Sequence, residues 1–374
     1  MPSPDNDKTK NNTPSILARY TTASIFVVIL STWARLAFPP HADTPGLTSP
    51  MHGPSSPASL TAMYLVSLPL LRSITERYLS PRYDMKLLLT ESMMLYNVVQ
   101  VLLNGWMVYA MIDAVVNNGH PFIGSRGLSG VAIDSGASYA VYVHYCDKYL
   151  EFLDTYFMIL RGKMGQVSFL HIYHHTTIAW AWWIALRYSP GGDIYFGALL
   201  NSAIHVLMYS YYALALFKVR CPWKRYLTQA QLLQFTSVVM YTLATAYRHY
   251  HTPPHHAIEG VQPSLKTYLL CCVVQVFEMV SLFVLFGLFY KRSYSKRGDK
   301  GDGSGERHGR SNDVSTTSTL KAESSEDQCY RAMGEISVAA KEVAGHAAKD
   351  AGKLVATATK AVTRGNGKGR VGPM

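Results

Sequence analysis

The chain has 374 residues, 48% of them hydrophobic, and its mean hydropathy of +0.04 averages two kinds of sequence. Residues 57–290 are dominated by long apolar stretches, whereas 1–15 and 291–374 are polar. The formal charge of +11 does not indicate nucleic-acid binding, because the basic residues cluster in the short gaps between apolar runs and just after the last one. The five cysteines have neither CxxC nor zinc-finger spacing, so we expect neither a disulfide framework nor a structural metal.

Seven apolar runs predict membrane-crossing helices, since one crossing takes about 20 residues. We predict an all-α membrane protein with seven transmembrane helices, at about 57–72, 85–115, 137–160, 167–187, 194–217, 229–248 and 267–290. An eighth apolar stretch, 25–38, is either an extra membrane or interfacial helix or an N-terminal targeting element. It has no clean small-residue cleavage site, which argues against a removable signal peptide.

These patterns divide the chain into three parts. Residues 1–56 form an N-terminal segment that ends in a linker rich in Pro, Gly and Ser. Residues 57–297 form the membrane domain, and residues 298–374 are expected to be a polar, largely disordered tail. Within the tail, residues 333–363 are rich in Ala and Lys with helical periodicity, typical of a weakly helical solvated segment or of a helix on the membrane surface.

The basic residues predict how the helices are oriented. Every second gap is rich in Lys and Arg, namely 72–86, 161–163 and 218–225, and so is the end of the last helix, 291–297. By the positive-inside rule these gaps and the C-terminus are cytosolic. We therefore expect a multi-pass protein with a cytosolic C-terminus.

Ionisable side chains in the fourth and fifth apolar runs indicate a reaction site. His171, His174 and His175 share one helix face, because positions i, i+3 and i+4 are neighbours on a helix, and His205 follows in the next run. Such side chains are expensive inside a membrane and mark cavities, relays or reaction centres. The preceding run carries a second polar stripe at Lys148, Glu151, Asp154 and Thr155. The two stripes predict a site inside the bundle, near its cytosolic mouth.

Four motifs resemble, in order and spacing, those of the membrane-embedded fatty acid elongases of the ELO type, the very-long-chain 3-ketoacyl-CoA synthases. They are KYLEFLDT at 148–155, HIYHH at 171–175, NSAIHVLMYSYY at 201–212 and TQAQLLQ at 228–234, with a weaker match in YNVVQ at 96–100. The resemblance covers about residues 58–297. HxxHH alone also occurs in di-iron desaturases, so the specific signal is the order of all four motifs.

The resemblance implies a six-helix barrel around a closed-ended tunnel that opens to the cytosol. It implies condensation of a long-chain acyl-CoA with malonyl-CoA to 3-oxoacyl-CoA, CO2 and CoA, with no metal or other cofactor. The expected partners are the two CoA substrates, membrane lipids and the other elongation-cycle enzymes (ketoacyl reductase, dehydratase and enoyl reductase), but no nucleic acid; a homodimer is left open. The expected location is the endoplasmic reticulum membrane, although the chain ends in GRVGPM rather than in the family's dilysine retrieval signal.

The chemistry needs a nucleophile that attacks a thioester, and a neutral imidazole can do so to form an acyl-imidazole. The resemblance implies that His174 is this nucleophile and that His205 assists decarboxylation or holds the enolate. The expected catalytic set is His171, His174, His175 and His205. The residues expected to contact CoA or substrate are Lys148, Arg161, Lys163, Gln166, Tyr211, Lys224 and Thr228. Those expected to support them are Glu151, Asp154 and Asn201.

Several alternatives stay open at this point. Glu151 and Asp154 either form a structural bridge with Lys148 or orient a catalytic histidine. Thr228, Gln231 and Gln234 either join helices by hydrogen bonds or belong to the site. We expect Cys146 to be a packed small side chain, and we expect solvated histidines at His249, His251, His255 and His256.

The substrate and two rival functions also remain open. The amino-acid sequence of 201–214 and 226–235 is closer to the polyunsaturated branch of the family than to the other branch. We therefore predict a polyunsaturated acyl-CoA as substrate, with a saturated or monounsaturated acyl-CoA as the alternative. A di-iron desaturase or hydroxylase and a seven-helix transporter with a histidine proton relay are the remote alternatives.

Overall fold

The computed structural model of the protein describes residues 13–38, 51, 53–125, 136–251 and 264–298. Within these residues all regular secondary structure is helical. The α-helices, in chain order, are α1 (Ile16–Ala37), α2 (Ser55–Ile74), α3 (Met85–Leu88), α4 (Thr90–Val116), α5 (Gly136–Leu150), α6 (Phe152–Leu160), α7 (Phe169–Tyr188), α8 (Tyr195–Leu216), α9 (Leu227–His251) and α10 (Leu265–Gly298). A π-helical turn, Thr75–Leu79, extends α2, and 3-10 turns at Met164–Gln166 and Pro222–Tyr226 precede α7 and α9.

Five of the described helices are long and apolar enough to cross a membrane. They are α1, α2 with its π-helical turn, α4, α8 and the part of α10 up to Phe289. The all-α, multi-pass membrane class is therefore confirmed. The predicted runs 167–187 and 229–248 are the helices α7 and α9, which carry the polar motifs. The count of seven crossings and the barrel stay predictions.

The predicted run 137–160 is not one continuous helix. It stops at Leu150 and restarts at Phe152, with Glu151 between α5 and α6. At the break, the N–H of Asp154 donates to the carbonyl of Glu151 at 3.1 Å, a bond between residues three apart. Glu151 is held by side chains of neighbouring elements, and this tertiary context overrides the helical periodicity of the sequence. The run 85–115 is likewise split at Leu89, and the last helix continues past 290 to Gly298.

The apolar stretch 25–38 lies within α1, which packs against the membrane domain. Near its start, the Arg19 guanidinium pairs with Glu91 in the first turn of α4. Near its end, Trp33 Nε1 donates to the carbonyl of Cys146 at 3.0 Å. Between them the Phe26 ring lies 5.5 Å from that of Phe157 in α6, measured between centroids. The helix thus contacts the bundle along its length.

Two predictions on single side chains have opposite outcomes. Cys146 is fully buried in the apolar core, as expected. His249 was expected to be solvated, and this is wrong: it is 3% exposed, and its Nε2 lies 3.0 Å from Asp193 Oδ2. The carboxylate of Asp193 sits in the loop before α8, so the local sequence around His249 could not reveal this partner. His251 is exposed as predicted.

Asp193, His249 and Tyr268 form a buried polar group that we call the Asp193 cluster. Besides His249, Asp193 accepts the backbone N–H groups of Gly124 and Ser125, both at 2.9 Å, and the Tyr268 hydroxyl at 3.3 Å. The cluster ties the start of α8 to the end of α9 and the start of α10. The expectations for His255, His256, the linker at 39–50 and the tail fall outside the described residues.

Candidate active site

The three histidines of HxxHH form one cluster on α7, as their spacing predicts. The His171 and His175 rings lie 4.4 Å apart between centroids, and those of His174 and His175 lie 5.4 Å apart. Ser168 caps the helix by accepting the N–H of His171, which fixes the first turn where the cluster begins. His175 is buried, whereas His171 and His174 are half-buried. His171, His174 and His175 are called the histidine cluster below.

A chain of hydroxyls orients His171. Thr155 Oγ1 in α6 lies 2.8 Å from His171 Nε2 and 2.8 Å from the hydroxyl of Tyr64 in α2. Thr155 and Tyr64 are both fully buried, so this hydrogen-bonded chain excludes water. Tyr64 belongs to none of the motifs, and the sequence analysis missed it.

Lys148, Glu151 and His205 meet beside the cluster. Lys148 Nζ donates to Glu151 Oε1 at 2.5 Å and to Asn201 Oδ1 at 3.0 Å. His205 Nδ1 lies 2.9 Å from the same Oε1, in a close contact poorly aligned for a hydrogen bond. Glu151 therefore forms the bridge with Lys148 and also contacts His205, while its role in orienting a catalytic histidine stays a prediction. All three side chains are buried, so each depends on the others for its electrostatic balance.

Asp154 has a different partner. The Tyr209 hydroxyl donates to Asp154 Oδ2 at 2.6 Å, and Tyr96 OH lies 3.2 Å from Tyr209 OH. Among the described residues no ion pair joins Asp154 to Lys148, so the bridge considered for this carboxylate is wrong. Asp154 instead connects the KxxExxDT motif to the tyrosines of α8 and α4. The YNVVQ segment contributes further, since Gln100 Nε2 donates to Tyr96 OH at 3.4 Å.

A narrow cavity runs from the histidine cluster between α7, α8, α9 and α10, and we call it the α7–α10 cavity. It begins at His174 and Asn201 and ends among Ala185, Ile194 and Cys271. Its walls are mostly apolar, as ligand pockets usually are. The Asp193 cluster lies past the Ile194 end, where it fixes the helix ends together.

Polar side chains interrupt these walls at a few places: Gln234, Gln275 and Glu278. Glu278 Oε1 accepts a hydrogen bond from Thr177 at 2.6 Å, and Gln275 Oε1 accepts one from Thr242 at 3.2 Å. Gln234 is buried and faces the cavity, so it belongs to the site region. Gln275 and Glu278 lie in α10, after the last motif, and the sequence analysis missed both.

Four of the residues expected to contact CoA lie in two turns between helices. Arg161, Lys163 and Gln166 occupy the turn between α6 and α7, where Arg161 is half-buried and the other two are exposed. Lys224 is exposed in the 3-10 turn before α9, and its Nζ lies 5.1 Å from the centroid of the Tyr211 ring. Thr228 is the second residue of α9 and half-buried. The chain reverses at α7 and again at α8, which brings both turns to the end of the bundle where the histidine cluster lies.

Only one group with metal-ligand spacing occurs in the described part of the chain. It consists of Asp147, Glu151 and His205, whose ligand atoms all lie within 4.8 Å of one another. The ammonium of Lys148 already lies against the Glu151 carboxylate there. The histidine cluster contributes nothing to this group, which gives no support to the di-iron alternative.

Comparisons with known proteins agree with the motifs. The family model described as ELO, the GNS1/SUR4 family, matches residues 49–302. Very long chain fatty acid elongase 5 of Tachysurus fulvidraco is 35% identical over 238 residues, which cover 61% of this chain and 76% of the relative. The elongase 5 of Xenopus tropicalis is 35% identical over 208 residues, which cover 55% of this chain and 65% of the relative. Very long chain fatty acid elongase 2 of Mus musculus is 34% identical over 243 residues, which cover 64% of this chain and 75% of the relative.

Proposed function

Because the chain belongs to the GNS1/SUR4 family of fatty acid elongases, we propose that it condenses a long-chain polyunsaturated acyl-CoA with malonyl-CoA. The products are a 3-oxoacyl-CoA two carbons longer, CO2 and CoA. The observation that carries the proposal is the position of His174, which stands at the start of the α7–α10 cavity beside Asn201. An acyl chain whose thioester carbon lies at this histidine would extend along the apolar walls of the cavity.

The first half of the reaction acylates His174. Its Nδ1 is enclosed by protein and has no hydrogen-bond partner among the described residues, so we assign the attack to Nε2. The Nε2 lone pair forms a bond to the thioester carbonyl carbon, and the C–S bond breaks. CoA leaves as the thiol after taking up one proton, and the acyl-imidazolium loses its Nδ1 proton, which leaves a neutral acyl-imidazole. Splitting the condensation in this way replaces one difficult step by two easier ones.

The second half consumes malonyl-CoA. Its carboxylate leaves as CO2, and the electron pair of the broken C–C bond remains as the enolate of an acetyl-CoA unit. The enolate carbon attacks the acyl carbon, the C–N bond to His174 breaks, and the imidazole regains a proton. His205 and Lys148 are the groups next to His174 that stabilise the enolate charge, both held by the carboxylate of Glu151. The balanced reaction uses one proton and no oxidant or metal.

The cytosolic mouth supplies charges that match CoA. Arg161, Lys163 and Lys224 face the phosphates, while Gln166, Tyr211 and Thr228 contact the remainder of the nucleotide or pantetheine. The location that follows is the endoplasmic reticulum membrane, with the C-terminus in the cytosol. The helix α1 adds a further crossing, since it contacts both α4 at its start and α5 near its end.

The proposed substrate class rests on the sequences of the motifs, which favour polyunsaturated over saturated or monounsaturated acyl chains. The test is expression in microsomes of a host that lacks polyunsaturated elongation, fed saturated, monounsaturated and polyunsaturated long-chain acids. We expect products two carbons longer, chiefly from the polyunsaturated acids, with release of labelled CO2 from malonyl-CoA. Products mainly from saturated acids would reassign the substrate. Desaturated products that need iron, or transport without CO2 release, would overturn the elongase proposal.

A further inference from the structure

Asp147 is a buried carboxyl group that none of the motifs includes. It lies in α5, one helical turn before Glu151, and is fully buried. Its Oδ2 accepts a long hydrogen bond of 3.4 Å from Asn104 Nδ2 in α4. Its Oδ1 has no hydrogen-bond partner among the described residues, and neither has Glu151 Oε2. Buried polar atoms without partners are rare in native proteins, so two such oxygens one turn apart need a physical explanation.

The charges around Asp147 do not balance if both carboxylates are ionised. Lys148 is the only side chain here with a permanent positive charge, and its Nζ bonds Glu151 Oε1. The titratable neighbours are His205 in α8 and His144 one turn earlier in α5, whose Nδ1 lies 3.1 Å from Ser202 Oγ. The facing part of α4 offers the neutral amides of Asn104 and Gln100 and the hydroxyl of Tyr96, and α8 adds the hydroxyl of Tyr209. None of these groups carries a positive charge. A second negative charge in this buried group would be uncompensated and costly.

We propose that Asp147 is a positioning residue that holds a proton and donates it, as an O–H···O hydrogen bond, to Glu151 Oε2. The ligand atoms of Asp147, Glu151 and His205 lie within 4.8 Å of one another, so the two carboxyl groups belong to one buried group. Two like charges in one site favour protonation of one of the two carboxyl groups. One proton then satisfies both orphan oxygens. Glu151 keeps a single negative charge, which interacts with both Lys148 and His205.

This arrangement matters for the condensation, and to that extent the inference rests on the proposed function. The malonyl carboxylate and the enolate bring negative charge to the vicinity of His205. An ionised Asp147 would repel that charge in a water-poor site, whereas a protonated one leaves the Lys148–Glu151 pair neutral as a whole. Asp147 thus acts through Glu151 rather than on substrate.

The test compares two substitutions with a distant control. Asp147→Asn replaces the O–H donor by an amide N–H donor without adding a charge, so it should keep kcat within about threefold and leave the pH dependence of kcat unchanged. Asp147→Leu removes the donor and should lower kcat about tenfold or more, with little change in KM for acyl-CoA. The control is Asp113→Asn at the far end of α4, where the same chemical change should alter neither quantity.

A second readout does not depend on activity. In the infrared spectrum of the purified protein, a protonated carboxyl gives a carbonyl band that shifts in heavy water, and this band should disappear in Asp147→Asn. An unchanged spectrum, a displaced pH profile in Asp147→Asn, or an Asn variant as inactive as Leu would show that Asp147 is an ionised carboxylate and overturn the proposal. A wild-type activity in Asp147→Leu would do the same. If the wild type condenses no acyl-CoA, the proposed function fails while the infrared band still decides the inference.

Discussion

The side-chain amide of Gln275 lies so close to Gly197 that its Nε2 would stand 2.5 Å from a Cβ atom at that position. Both residues line the α7–α10 cavity, one from α10 and the other from α8. The amide is tethered, because its Oε1 accepts a hydrogen bond from Thr242. The missing side chain at Gly197 therefore provides the space that this amide occupies.

Gly197→Ala should shift the enzyme towards shorter acyl chains. The added methyl group displaces the Gln275 amide into the cavity, and a change of one methylene-sized group in such a pocket alters substrate discrimination by roughly 10- to 200-fold. The measurement is the product profile in microsomes fed acids of increasing length. Gly105→Ala is the matched control, since a Cβ there meets nothing within 4 Å. Adding Gln275→Ala to Gly197→Ala should restore the longer products. A wild-type product profile in Gly197→Ala itself would mean that the acyl chain lies elsewhere.

His174→Ala should abolish condensation while the protein remains folded and inserted. The variant lacks the nitrogen that we assign as nucleophile, so neither the acyl adduct nor the product can form. Intact-mass measurement after incubation with acyl-CoA alone should show the adduct on the wild type and on Cys146→Ala, because Cys146 is fully buried in the apolar core. An adduct that persists in His174→Ala and disappears in Cys146→Ala would make the cysteine the nucleophile.

Asp193→Leu should destabilise the protein without altering the chemistry at His174. The substitution leaves two buried backbone N–H groups and the His249 ring without their acceptor. We expect this to lower the free energy of unfolding by about 3 kcal/mol or more. The expected readout is a melting temperature lowered by several degrees in detergent, with unchanged kcat for the protein that remains folded. His251→Ala, an exposed change two residues from His249, should leave the melting temperature as it is. Equal stability of Asp193→Leu and wild type would show that the Asp193 cluster does not hold the helix ends.

The proposed crossing of α1 places the N-terminus in the cytosol. Its start pairs with the first turn of α4, and Phe38 just after its end lies 6.2 Å from the Tyr139 ring at the start of α5, between centroids. A glycosylation acceptor added before residue 13 should stay unmodified, whereas one placed in 39–50 should be glycosylated. An acceptor at the C-terminus, expected to be cytosolic, serves as the unmodified control. Glycosylation at the N-terminal acceptor would place α1 on the surface rather than across the membrane.

Truncation after about Lys300 should leave condensation in membranes largely intact. The family match ends at 302, and the described contacts around the histidine cluster reach no further than Phe286. The comparison is specific activity per inserted protein, together with the membrane that each form occupies. A loss of more than about tenfold at unchanged expression and location would make the tail part of the catalytic unit.

The sequence predicts the helices and the motif residues well, because each is encoded locally. Apolar runs locate the helices, although α1 begins earlier and α10 ends later than the runs indicate. The spacing of HxxHH places three imidazoles on one face without knowledge of any neighbour. The break at Glu151 escapes this reasoning, since the periodicity of α5 continues smoothly into α6. What interrupts it is a carboxylate engaged by Lys148 and His205.

Contacts between distant segments were the part that could not be predicted. His249 was expected in solvent because it lies at the predicted lumenal end of the sixth apolar run, and the buried carboxylate that contacts it comes 56 residues earlier. Tyr64 and Gln275 lie in ordinary apolar helices, where nothing local indicates that one reaches Thr155 and the other Gly197. Asp147 did leave a signal, a second acidic residue beside Lys148 in an apolar run, but only the unpartnered oxygens show its importance.

The order of the helices in the chain also sets the order in which the parts of the candidate site are synthesised. The residues from Lys148 to Tyr209 come from consecutive helices, so the histidine cluster and these neighbours are complete before α9 and α10 leave the ribosome. The opposite wall of the cavity is made later, and its Phe286 ring stands 6.4 Å from that of His174. A nascent chain halted before Leu227 would therefore present the His174 imidazole to an open slot. The arrival of α9 and α10 encloses it.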